Sequence, residues 1–141
     1  MSSAREVFAR FEDYVLGQGD DVWAPDVVIE QPFAVGGPSR VEGADRFREL
    51  TRASRESFPV RFEAMRNVVV HDTTDPNKII VEYELGGVVT TTGKRASAPF
   101  IAVMAVRDGR IVLWREYQNA LAIADALGQL PSHEGPLHVV E

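Results

Sequence analysis

The chain has 141 residues, of which 45% are hydrophobic and 26% charged, with a formal net charge of −6 and no cysteine. This length suits one domain with room for a sizeable core, and the composition excludes a disordered chain. The acidic balance opposes a nucleic-acid partner, and the lack of cysteine excludes disulfides, thiolate metal sites and cysteine nucleophiles.

The opening stretch MSSAREVFARFEDYVLG is charged and amphipathic without an unbroken apolar run. Neither a signal peptide nor a membrane span is expected, and a cytoplasmic location is the default. After Ser2 and Ser3, the residues Val7, Phe8, Phe11, Val15 and Leu16 recur at helical spacing until Gly17 and Gly19, which predicts an amphipathic helix needing a covering surface. DVVIEQPF is β-branched and bounded by prolines, a strand with Val27, Ile29, Gln31 and Phe33 on one face and Glu30 on the other. AVGGPSRVEG reads as a loop. Gly43 to Ser57 reads as a second helix, with Phe47, Leu50 and Thr51 near one stripe and Pro59 as its stop.

From Val60 the period becomes that of strands. VRFEAMRNVVVHD, KIIVEYELGGVVTTT, RASAPFIAVMAVRD and RIVLWREYQN are joined by the turn signals TTDPN, TGK and RDGR, which predicts a strongly curved antiparallel meander. ALAIADALGQL returns to helical character, and PSHEGPLHVVE is a tail, so a single domain spans 1–130 and a C-terminal tail 131–141. Helices first and a long antiparallel sheet afterwards make an α+β fold, with the helices closing over one face of the sheet and a cavity at its open end.

In that order, WAPDVVIEQPF, VEGADRFREL and APFIAVMAVRDGRIVLWREYQNAL resemble the nuclear-transport-factor-2-like superfamily, which includes ketosteroid isomerases, SnoaL-type polyketide cyclases, scytalone dehydratase and limonene epoxide hydrolase. The resemblance covers roughly residues 4–130. It implies a cystatin-like α+β barrel: a curved antiparallel sheet forming a cone, with N-terminal helices packed over its concave face. Because that fold hosts catalysts and binding modules alike, activity has to be argued from pocket residues.

Ketosteroid isomerases carry an aspartate base directly before the proline of the first strand, where this chain has Gln31 before Pro32. An amide does not take a proton from carbon. Their oxyanion donors fall on Phe11 and on Phe100 or Ala102, none of which donates a hydrogen bond. Limonene epoxide hydrolase has a WRDYFD-type stretch against WREYQN here, and its water-activating aspartate falls on Glu116. Its Arg and Asp two residues apart match either Tyr83 and Leu85 or Glu82 and Glu84, depending on register. Many polyketide-cyclase relatives end this stretch in an acid, where this chain has Asn119.

Strand alternation puts Val112, Trp114, Glu116 and Gln118 on one face and Ile111, Leu113, Arg115 and Tyr117 on the other. The resemblance makes Trp114, Glu116 and Gln118 the pocket set. A carboxylate among aromatics in a cavity has its pKa raised by desolvation, which suits proton transfer. The alternative places Glu116 at a rim or against Arg115 or Arg95. Tyr14 and Trp23 either offer donors to a ligand or pack the first helix on the sheet. Gln31 and Asn119 either orient a polar group or satisfy backbone. Phe33, Phe58, Phe62, Phe100, Met104 and Trp114 decide how far the cone is filled. His71, His133 and His138 lack metal-ligand spacing, and neither Gly36–Gly37 nor Gly86–Gly87 forms a phosphate cradle.

The expectation is an enzyme of cofactor-free, metal-free acid/base chemistry on a small apolar organic ligand. Glu116 would be its base or acid, with Gln31, Tyr14, Tyr83 and Asn119 orienting substrate or water. The competing expectation is a non-catalytic binding or dimerisation module. A homodimer through the outer sheet face is expected in either case, because apolar residues on both sides of the last strands need cover.

Overall fold

The computed structural model describes residues 3–54 and 59–128. In chain order the elements are α1 (Ala4–Val15), β1 (Trp23–Gln31), β2 (Ser39–Glu42), α2 (Ala44–Ser54), β3 (Val60–Asp72), β4 (Lys78–Val89), β5 (Arg95–Arg107), β6 (Arg110–Gln118) and α3 (Ala120–Ala126). Ser3 starts α1 through a reciprocal capping box with Glu6, satisfying donors that the first turn leaves free. At the other end Gly17 takes φ 76°, a left-handed conformation that closes the helix without a Cβ penalty.

The strands form one curved, unclosed sheet in the order β2-β1-β6-β5-β4-β3, so β2 and β3 are its edges. The expected meander β3 to β6 is antiparallel throughout. Its last turn is made by Asp108 and Gly109, both at positive φ, as a tight hairpin requires. Two features depart from the sequence expectation. β1 joins β6 in parallel, so the sheet is mixed. And Ser39–Glu42, read as loop, is an edge strand paired with Val28–Gln31, its Gly and Pro content belonging to the turn before it.

α1 lies over the concave face and buries Val7, Phe8 and Phe11. Phe11 packs 4.1 Å from the Trp114 ring and edge-on to Trp23 at 5.9 Å, contacts that add to simple area burial. Asp21 holds α2 to the start of β1 by two hydrogen bonds from Arg48, of 2.7 and 3.0 Å, which lower the Asp21 pKa. The alternation expected in β6 breaks near its start. Ala105 pairs with Leu113 while Val106 pairs with Ile111, so Val112 is a bulge residue and Ile111, not Val112, joins the core.

Candidate active site

β4 settles the register left open by its sequence. Tyr83 and Leu85 are buried on the inner face, while Glu82 bonds His71 at 2.6 Å and Glu84 pairs with Arg66 at 3.4 Å outside. Across the inner face, Ala102 on β5 pairs with Val81 on one side and Glu116 on the other. Its single methyl leaves room for the Tyr83 ring, stacked on Phe100 at 5.3 Å, to reach β6.

Glu116 is the buried polar residue of this face, 9% exposed. Tyr83 Oη donates to Glu116 Oε2 at 2.5 Å, and Gln31 Nε2 donates to Oε1 at 3.3 Å. Burial pushes the Glu116 pKa up, against the opposing pull of hydrogen bonds from Tyr83, Trp114 and Gln31, because desolvation penalises the charged form. The same burial, with the adjacent carboxylate, raises the Tyr83 pKa well above its ordinary value, so the phenol remains a donor throughout the neutral range. Neither arginine considered as a partner reaches Glu116. Arg115 turns outward to Glu30 at 3.4 Å, and Arg95 bonds Glu63 at 2.7 Å.

The carboxyl lines a cavity of about 640 Å³, within the range of small-molecule sites. Gln31, Gln118 and Phe100 share its wall with Glu116, and Phe11, Phe62 and Leu85 extend it. α3 and its C-cap also contribute to the lining, through Ala122, Ile123, Ala126 and Leu127; the apolar spacing of ALAIADAL is the signal in the sequence for them. Phe47 and Thr51 of α2 also face the cavity, whereas Leu50, read on the same stripe, is 37% exposed and outside the lining.

Several expected pocket residues lie elsewhere. Phe33 is 60% exposed and packs edge-on against Tyr117 at 5.3 Å, because β1 ends at Gln31 and the following turn breaks the alternation that would have carried Phe33 inward. Asn119 accepts a hydrogen bond from Ala122 N and caps α3. Tyr14, Trp23 and Met104 are absent from the cavity lining. Tyr14 meets Trp23 edge-on at 5.8 Å, while Trp23 and Met104 are core residues. Tyr83 and Trp114 stand behind the lining, in contact with Glu116. Phe58, His133, His138 and the tail lie outside the described residues. Among the described residues, no three His, Asp or Glu side chains form a metal-binding group, and no helix is long and apolar enough to cross a membrane.

A family model for the SnoaL-like domain matches residues 4–114. The chain belongs to the SnoaL-like family. It is 35% identical over 109 residues to an uncharacterized PhzA/B-like protein of Pseudomonas aeruginosa, covering 77% of this chain and 75% of that one. It is 30% identical over 132 residues to the uncharacterized protein YesE of Bacillus subtilis, covering 89% and 87%. A solved Bacillus subtilis structure designated an isomerase superposes with TM-score 0.79 at 29% identity, covering 90% of this chain and 94% of the other. Structures designated polyketide cyclases and an LEH-like epoxide hydrolase share the SnoaL-like fold at 24% identity or less, a likeness that speaks for fold alone.

Proposed function

We propose that this SnoaL-like protein is an enzyme of cofactor-free acid/base chemistry, acting on an apolar small molecule held in the cone, with Glu116 as base or acid. The supporting observation is a buried carboxyl at the wall of an apolar cavity, held by Tyr83 and Gln31 and paired with no cation among the described residues. Burial without a cation is what brings a carboxyl towards the range useful for proton transfer. The reaction class is isomerisation, cyclisation, dehydration or epoxide opening. Gln31 fixes one carboxyl oxygen and keeps a second N–H for substrate or water, and Tyr83 fixes the other from behind.

A binding module is the competing reading, favoured by the amide of Gln31 where ketosteroid isomerases carry their base. The two separate on Glu116→Gln. Across panels of ketones, epoxides and linear polyketide analogues, the enzyme reading expects turnover by the native protein, at least about a hundredfold less by the variant, and similar ligand affinity in both. Equal turnover in the two proteins would remove Glu116 from the chemistry.

The homodimer belongs to the same proposal. Ile101 is 45% exposed on the outer face and Phe33 keeps most of its ring surface exposed beyond β1, apolar surface that a second copy would cover. A monomer by light scattering at micromolar concentration would contradict it.

A further inference from the structure

The charge of the cavity wall is one-sided. Among its described lining residues, Glu116 is the one acid and none is Lys, Arg or His. The arginines of the surrounding strands point outward and are held there: Arg66 by Glu84 at 3.4 Å, Arg95 by Glu63 at 2.7 Å and Arg115 by Glu30 at 3.4 Å. An anion entering the cone would leave water and find no cation among the described lining residues, a penalty that persists whether or not Glu116 is ionised. An ionised Glu116 would add like-charge repulsion.

The polar groups of the wall are also gathered at one end. Gln31 bonds Glu116, and Gln118, next along the same face of β6, is paired in register with Phe100. Thr51 spends its hydroxyl proton on the Phe47 carbonyl at 2.8 Å. The remaining wall is mainly aliphatic and aromatic, including Phe11, Phe62, Leu85 and Ile123. A ligand that matches this distribution has an apolar body and its oxygen functions at one end.

We propose that the cavity selects uncharged, single-ended molecules of this kind, such as ketones or alcohols on an apolar skeleton, and rejects carboxylates and phosphates. This rests on the reading of the cavity as the substrate site, but not on Glu116 being a base.

The test uses two probes of one skeleton, 2-acetylnaphthalene and 2-naphthoate, titrated into the whole protein by calorimetry in neutral buffer. The neutral ketone is expected to bind at least about tenfold more tightly, since an unpaired desolvated anion is costly. Ala96→Lys adds a cation at the half-buried end of the inner β5 face that Ala98 and Phe100 share and is expected to strengthen naphthoate binding several-fold relative to the ketone. Equal binding of the two probes, failure of the ketone to bind, or no gain for naphthoate in the variant would each overturn the proposal. Selective ketone binding without any Glu116-dependent turnover would sink the catalytic reading and leave the selectivity standing. Efficient turnover of an anionic substrate would do the reverse.

Discussion

Tyr83 reaches Glu116 across an alanine. The 2.5 Å hydrogen bond to Oε2 spans from β4 to β6 because Ala102, on the strand between them, presents only a methyl group to the inner face. Nothing in the spacing of Tyr83 and Glu116 along the chain announces this contact.

Tyr83→Phe removes that donor and leaves the buried carboxyl with Gln31 and Trp114 as its supports. The Glu116 pKa should rise further above its ordinary value, since the lost bond favours the ionised form. Stability should fall by about 1–3 kcal/mol at pH values where Glu116 is ionised. Carbon-13 titration of the glutamate carboxyls would measure the shift, and an unchanged or lowered Glu116 pKa would show that the phenol does not hold the carboxylate.

Glu116→Gln should show the cost of burying the charge. Because the folded-state pKa lies above the usual 4.5, the native protein keeps its full share of stability from this group below that value. It loses that share as pH rises through the folded-state pKa. The glutamine variant has no such loss, so its stability relative to the native protein should climb with pH across this window and then level off. Asp21 and Asp26 have lowered pKa values and lose stability in acid, but they do so equally in both proteins and cancel. Urea unfolding at a series of pH values gives the difference directly. A flat or falling difference would contradict a raised Glu116 pKa.

The paired glycines of β4 should respond unequally to alanine. At Gly86 an added Cβ would meet the tip of Arg66, whose guanidinium can swing aside, whereas at Gly87 it would meet the backbone carbonyl of Arg61 at 2.8 Å. Gly86→Ala should therefore cost little beyond the loosened Arg66–Glu84 pair, a surface contribution of at most about 1 kcal/mol. Gly87→Ala should cost about 1–3 kcal/mol through overpacking. Thermal and urea melts of the two variants compare them, and a Gly86→Ala cost equal to or above that of Gly87→Ala would refute the steric account.

The sequence carried the elements well wherever its period was regular and its turns had chemical reasons, as in α1, the four strands of the meander and the Asp108–Gly109 hairpin. It failed where geometry between strands decides the outcome. The bulge at Val112 depends on the pairing of β5 with β6 and has no signature in RIVLWREYQ, so Ile111 was assigned to the wrong face. Phe33 continued a period that the chain had already abandoned at Pro32. Asn119 shows a different limit: its amide is equally suited to a ligand and to a helix cap, and only the position of Ala122 N distinguishes them. For Glu116 the sequence supplied the residue and its face. The depth of burial and the identity of its two distant donors, Tyr83 and Gln31, came from neighbours up to 85 positions away.

That distance bears on how the protein comes together. The meander from β3 to β6 closes through successive local hairpins, but β1 joins β6 in parallel and has to wait for the far end of the chain. Long-range pairing of this kind carries a larger loop-closure cost. The Tyr83–Glu116 contact can therefore form within the hairpin array, while Gln31 arrives with the slower step. The expected order is an inner carboxylate first fixed from behind and only later completed at the cavity. Pulsed hydrogen exchange that protected β1 before β5 would reverse it.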